Sequence, residues 1–105
     1  MLVLSGCLPS ARVDRVIDGD TLILEGGRRV RLLGIDAPEP RAPGGPEAAA
    51  RLRELVAGRR VRLEFAAPLA GRTEDRYGRL LARVRVGGAD VGERLRREGH
   101  ARTLP

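Results

Sequence analysis

Lysine is absent from this chain of 105 residues, and so is tryptophan. All 20 basic side chains are arginine, set against 14 acids, which leaves a formal charge of +6. An all-arginine set reflects either the composition of the source genome or phosphate recognition, which a guanidinium performs bidentately. The two readings are compatible, and net charge alone supports polyanion binding only weakly. Aromatic rings are nearly missing too: Phe65 and Tyr77 are the whole complement, so Leu, Val, Ile and Ala must build any core. The single cysteine, Cys7, excludes an intramolecular disulfide and a cysteine-based metal site. The single histidine, His100, excludes a multi-histidine site and reads as a surface residue. No apolar run approaches the ~20 residues a membrane helix needs.

What is present fits one domain, since a chain of this length buries roughly 60–70% of its unfolded surface. Residues 1–10 read as a leader and residues 11–105 as the folded unit. Leu4-Ser5-Gly6-Cys7 has the form of a lipoprotein signal box, yet only Met1 to Val3 precede it. Either the start lies upstream and Cys7 is lipidated, which gives an extracytoplasmic protein, secreted or membrane-anchored, or the match is accidental.

From Ala11 the pattern is strand-like. Val13, Val16 and Ile17 lead into the turn Asp18-Gly19-Asp20. Leu22-Ile23-Leu24 and Val30 to Ile35 flank the turn Glu25-Gly26-Gly27-Arg28, which predicts a hairpin and, with the preceding strand, a meander. Pro38 to Pro46 is a loop with four prolines and a Gly44-Gly45 pair, read with equal weight as a mobile lid or a passive connection. Glu47 to Val56 has helical spacing, with Ala49, Leu52, Leu55 and Val56 on one face, and Gly58 is its stop. Arg60 to Phe65 and Leu80 to Val86 alternate as half-buried strands, with a loop over Ala66 to Tyr77 between them. Asp90 and Glu93 have capping-box spacing for a last short helix. Five strands with a helix between the third and fourth, and a short C-terminal helix, predict an OB-type β-barrel.

Three acids stand at strand ends beside turns: Asp20, Asp36 and Glu39. Taken singly, each is an ordinary turn or loop former. In a meander, however, Asp20 opens the second strand where Asp36 closes the third, so the two carboxylates converge. Oxygen ligands without nitrogen or sulfur suit Ca²⁺ or Mg²⁺. Glu39 stands within reach of a water beside such an ion.

Val16-Ile17-Asp18-Gly19-Asp20-Thr21, Arg31 through Glu39, and Asp75-Arg76-Tyr77-Gly78-Arg79 resemble, in order and spacing, the signature segments of the staphylococcal-nuclease family. Pro46-Glu47-Ala48 and Arg97-Glu98-Gly99-His100-Ala101 extend the resemblance over roughly residues 12–103. It implies an OB-fold with a Ca²⁺-dependent nuclease site acting on DNA and RNA, in a monomer without an obligate protein partner. Asp20, Asp36 and the backbone carbonyl of Ala37 would hold the ion. Glu39 would be the general base, and Arg31 and Arg79 the phosphate pair. Scission of the P–O5′ bond would leave a 3′-phosphate. The family often has Thr at the position of Ala37, a departure that a carbonyl ligand tolerates. Relatives also carry stacking tyrosines and a further helix beyond the region matched here, so weaker base stacking is expected. The competing expectation is a non-catalytic nucleic-acid-binding module. Such domains usually lose part of the acidic set or the arginine pair, and here both sets are complete.

Overall fold

A computed structural model describes residues 9–65 and 74–104. The leader reading falls outside these residues except at Pro9 and Ser10, and most of the loop read over Ala66 to Tyr77 falls outside them as well. Strand β1 (Ser10–Asp18) begins one residue inside the segment read as leader. Its Ser10 pairs with Arg62, and the Pro9 carbonyl accepts from the Leu63 N–H at 2.8 Å. The pattern predicts β1 well: Val13 and Val16 are buried while Arg12, Asp14 and Arg15 are exposed.

β1 pairs antiparallel with β2 (Thr21–Leu24) on one side and with β5 (Arg60–Phe65) on the other. β2 pairs with β3 (Arg29–Leu32), β5 with β6 (Leu80–Val86), and β6 runs on to the short β7 (Ala89–Asp90). A parallel pairing of β3 with β6 closes the sheet, so five strands form a barrel and the expected OB-type fold is present. Closure removes the free edges that an open five-stranded sheet would expose.

The third strand is shorter than its sequence suggests. Val30 to Ile35 reads as one run, but the chain turns at Leu33-Gly34, where Gly34 adopts φ 81°, a left-handed conformation that costs glycine little. Ile35–Asp36 then forms a separate strand, β4, which pairs antiparallel with β8 (Arg102–Thr103). This small second sheet carries Asp36 away from the barrel wall.

Helix α1 (Gly45–Val56) lies between the third and fourth barrel strands and packs across β1. Its buried positions Ala48, Ala49, Leu52 and Val56 repeat at helical spacing, and Pro46 fits the first turn, where no N–H is needed. Helix α2 (Val91–Arg97) is capped by Asp90, whose carboxylate accepts from the Glu93 N–H at 3.1 Å. Only half of the expected capping box forms, because the Glu93 side chain pairs with Arg96 and Arg97 instead of reaching back. The helices are clamped together at Glu98. Arg51 donates from Nε and Nη2 at 2.7 and 2.9 Å, and Arg94 Nε at 2.6 Å. Hydrogen bonds from Arg51 and then Arg94 hold the Glu98 carboxyl down to about 2. The core is aliphatic, as expected, with Leu22, Val30, Leu32, Leu52, Val61 and Leu95 among its buried members. No helix among the described residues is long and apolar enough to cross a membrane.

The Gly44-Gly45 pair permits a close packing contact within the Pro38 to Pro46 loop. Gly44 turns the chain at φ 85°, and two successive turns tie Ala42 N–H to the Glu39 carbonyl and Gly45 N–H to the Ala42 carbonyl. A Cβ on Gly45 would lie 2.0 Å from the Glu39 carbonyl oxygen. Gly45→Ala should therefore displace the segment carrying Glu39. Chemical-shift changes concentrated at 38–46 would show it, and unchanged shifts there would refute the packing argument. Leu52→Ala, at a fully buried site, should cost about 2–5 kcal/mol in urea unfolding with an unchanged m-value.

Candidate active site

The turn Asp18-Gly19-Asp20 joins β1 to β2. Asp18 Oδ1 accepts from the Asp20 N–H at 3.0 Å, the local bond that makes Asp a turn former. This turn rests against the start of α1 and the end of β4. A Cβ on Gly19 would stand 2.7 Å from the Cβ atoms of both Ala37 and Ala48, so only glycine permits the approach.

Asp20 is thereby carried inward and is only 7% exposed. Its Oδ2 accepts from the Ala37 N–H at 2.9 Å, and the Thr21 hydroxyl donates to Oδ1 at 3.2 Å. Arg31 lies across from Thr21 in the β2–β3 ladder. Its Nη1 donates to the carbonyls of Leu32 and Ile35 at 2.7 and 2.9 Å. That leaves Nη2 facing two carboxylates, 3.4 Å from Asp20 Oδ2 and 3.4 Å from Asp36 Oδ1. Asp20 and Asp36 therefore converge as expected, but by a different route. They are not cross-strand partners: Asp36 arrives after the Leu33-Gly34 turn, and the Ala37 N–H reaches back to Asp20.

Burial pushes the Asp20 carboxyl up to about 6. The Ala37 N–H and the Arg31 guanidinium oppose that rise, while the neighbouring Asp18 adds to it. The site thus holds negative charge that is incompletely compensated by the protein. Among the described residues no group of three or more His, Cys, Asp or Glu side chains is gathered closely enough to hold a metal ion by itself.

Beside this pair lies an open depression of about 420 Å³ lined by Asp36, Ala37, Pro38 and Glu39 on one side and by Gly99, His100, Ala101 and Arg102 on the other. Glu39 is exposed on its wall. His100, read from sequence as a plain surface residue, faces the same depression. Arg102 was not singled out in the sequence. It is paired with Asp36 in the β4–β8 ladder, and its Nη2 lies 3.1 Å from Asp36 Oδ2 with the side chain 80% exposed. Two exposed residues in a two-residue strand leave no periodic signal, so only the ladder reveals it.

Arg79 is not brought into contact with the carboxylates. It sits just before β6, and Asp75 holds its Nε and Nη2 at 2.7 Å. Partial burial raises the Asp75 carboxyl, but the N–H groups of Arg79 and Tyr77 and the Arg79 guanidinium outweigh it, and the group lies below its ordinary range. Tyr77 is 70% exposed, with the guanidinium carbons of Arg76 and Arg79 at 5.4 and 5.5 Å from its ring centre. The structure thus gathers Asp20, Arg31, Asp36 and Ala37, sets Glu39 on the adjoining wall, and leaves Arg79 on a separate Asp75 pair.

The family described as "Staphylococcal nuclease homologue" matches residues 29–104. Endonuclease YncB of Bacillus subtilis is 41% identical over 104 residues, covering 90% of this chain and 48% of that protein. The thermonuclease of Staphylococcus hyicus is 38% identical over 100 residues, covering 87% of this chain and 57% of that one. An uncharacterized endonuclease of Escherichia coli is 37% identical over 94 residues, with 86% and 58% covered. The chain spans about half the length of the curated relatives it matches. A match across most of the barrel, at this identity, with the acidic pair and Arg31 brought to one point, makes the chain a member of the staphylococcal nuclease homologue family.

Proposed function

We propose that the protein is a Ca²⁺-dependent, sugar-nonspecific nuclease that hydrolyses phosphodiester bonds in DNA and RNA. One observation carries the reading: two carboxylates, one of them buried, meet at a single cationic nitrogen beside an open depression that also holds Glu39. The relatives, an endonuclease and a thermonuclease by name, support the same reaction class.

The donor set fits a hard divalent ion. Its oxygens are carboxylate and carbonyl, which suit Ca²⁺ or Mg²⁺ better than softer metals. Burial is the chief cause of the raised Asp20 carboxyl, and a cation beside it would offset the lost solvation. Asp20, Asp36 and the Ala37 carbonyl would hold the ion, with water completing the shell. When bound, the ion supplies Lewis-acid polarisation and charge neutralisation at a phosphoryl oxygen.

The protein's own groups do the rest. A phosphodiester is an anion and repels an incoming water oxygen, and attack concentrates further charge on the equatorial oxygens. Glu39, on the wall of the depression, takes the proton from the attacking water, a contribution of typically ~10²–10⁴-fold. The P–O5′ bond breaks, the 5′-oxygen acquires a proton from solvent, and the product keeps a 3′-phosphate. Arg31 and Arg79 offset the developing charge with donors of about 1.5–3 kcal/mol per charged hydrogen bond. Because Asp75 takes Nε and Nη2 of Arg79, that guanidinium is oriented with Nη1 left for a phosphate oxygen. Backbone contacts carry no base information, so sequence preference is weak.

Cleavage of single-stranded DNA by the purified protein should require Ca²⁺, stop in excess chelator, and be absent in Asp36→Ala. Glu39→Gln should lower kcat by ~10²–10⁴ with an unchanged melting temperature. A folded protein that binds DNA with Ca²⁺ present and never cleaves it would instead be a non-catalytic binding module.

The Asp20 carboxyl adds a pH signature in chelator. With a folded value of about 6 against an ordinary 3.8, the metal-free fold holds a proton on Asp20 that the unfolded chain has already lost. The more protonated state is then the native one, so this group's contribution falls as pH rises from about 4 to about 6. The loss is on the order of 2–3 kcal/mol. The stability of wild type relative to Asp20→Asn should drop across that window in EDTA. A difference that stays flat would assign the group an ordinary carboxyl, and one that rises would assign it a depressed one; either would refute the burial argument.

A further inference from the structure

Some arginines of this surface pair with a carboxylate, as Arg28 does with Glu74, Arg51 with Glu98 and Arg96 with Glu93, while others, such as Arg15, Arg29 and Arg53, make no ion pair among the described residues. The outer face of β1 and β5 sets arginines side by side. Arg12 is paired directly with Arg60 across the β1–β5 ladder, and Arg62 directly with Arg85 across the β5–β6 ladder. Direct cross-strand partners, and residues two apart on a strand, point to the same side of the sheet. Arg12, Arg60, Arg62 and Arg85 therefore share one face, opposite the inward face of Val61, Leu63 and Val84; Glu64, Arg83 and Asp90 stand at its β6–β7 end, so the uncompensated charge lies toward Arg12, Arg60 and Arg62.

Only Arg85 has an acidic partner, Glu64 at 3.0 Å. Arg12 spends Nη1 on the Gly58 carbonyl at 2.7 Å, which neutralises nothing. Arg12, Arg60 and Arg62 are exposed and make no ion pair among the described residues, although Asp14 stands two residues from Arg12 on β1 and Glu25 lies beside it. Like charges directly opposite on a sheet destabilise it. Two such pairs in register on one face are therefore a cost to the fold.

We infer that this β1–β5–β6 face is a second, non-catalytic surface for the phosphate backbone of a single-stranded nucleic acid, separate from the cleavage site. Resting on the nuclease reading for the identity of the polyanion, it gives that reading a means of holding long substrates. β1 itself connects the two places. Arg12 stands near its start and Asp18 at its end, roughly 20 Å away at ~3.3 Å per residue. At ~3.4 Å per nucleotide in a stacked strand, about six nucleotides cover that span. A strand longer than this engages both surfaces, and a dinucleotide engages only the site. Guanidinium groups spaced along adjacent strands bind phosphates without reading bases.

The test is the double variant Arg60→Gln/Arg62→Gln, with anisotropy of a labelled single-stranded oligonucleotide in chelator as the first readout. Each phosphate contact to a single strand contributes about 0.7 to the slope of log K against log salt. Removing two should lower that slope by ~1.4 and weaken binding roughly 20-fold at 0.1 M salt. In Ca²⁺ the KM for long single-stranded DNA should rise while kcat, and cleavage of a dinucleotide, stay as in wild type. The melting temperature should hold or rise, because the repulsion between guanidinium groups is relieved. An unchanged affinity and salt slope would overturn the inference. So would a variant that keeps its affinity for DNA while losing affinity for phosphatidylglycerol vesicles, an outcome that assigns the face to a lipid surface. Binding is measured without the metal, so a protein that fails to cleave refutes the nuclease reading and leaves this result to be judged by itself.

Discussion

The Asp20 carboxylate accepts the Ala37 N–H at 2.9 Å, and that bond holds together segments that no ladder joins. The turn after β1, the end of β4 and the start of α1 all meet there. The contact requires glycine at position 19, because a Cβ there would fall 2.7 Å from Ala37 and Ala48. It requires small side chains at both of those positions for the same reason. A carboxylate drawn into that junction loses solvation, which is why its proton affinity rises even with a backbone donor and a guanidinium beside it. The fold and the site are therefore one constraint: the packing that brings the segments together is also what leaves the negative charge in need of a partner.

Arg31 shows how a single side chain serves both ends of that constraint. Its Nη1 satisfies the Leu32 and Ile35 carbonyls where β3 turns into β4, while Nη2 faces Asp20 and Asp36. A lysine has no planar fork with which to do both at once. The break at Gly34 is part of the same device. Had β3 continued straight to Asp36, the period-2 alternation of a strand would have fixed where Asp36 pointed. The turn frees it to join β8, where Arg102 supports its other oxygen.

Much of the barrel was legible because its strands alternate: Val61 and Leu63 against Arg60 and Arg62, Ala82 and Val84 against Arg83 and Arg85, with glycine-bearing turns between runs. The helix was legible from the spacing of Ala49, Leu52, Leu55 and Val56, although Leu55 is only partly buried and Ala48 takes a buried place instead. The order of elements pointed to a barrel, but not to the strands that close it, since the β3–β6 pairing joins residues about fifty positions apart and periodicity carries no information about partners. β4 and β8 were hidden for a related reason: two residues are too few to show a period. At the site, the residue types and turn positions pointed to Asp20 and Asp36 correctly, but the expected route, a cross-strand pair, was wrong. The route depends on the N–H of Ala37, and a backbone donor leaves no mark in the sequence. Arg102 was missed on the same ground, and His100 was given too modest a place because its position depends on where Gly99 turns the chain toward the depression.

The arginines divide by what answers them. On the helices, guanidinium–carboxylate forks such as Arg51–Glu98 are local and reciprocal, and they hold elements together without a field that reaches outward. At the site, Arg31 faces Asp20 and Asp36 at once, and Arg102 takes the other oxygen of Asp36. On the outer face of β1 and β5, no carboxylate among the described residues pairs with Arg12, Arg60 or Arg62. With 20 arginines and 14 acids in the chain, some must go unanswered. Random placement would scatter them, and isolated surface charges are screened within about 10 Å at 0.1 M salt. Register instead sets them side by side, well within that distance, so their potentials add. An excess that folding alone would disperse is concentrated where a polyanion lying along β1 would meet it.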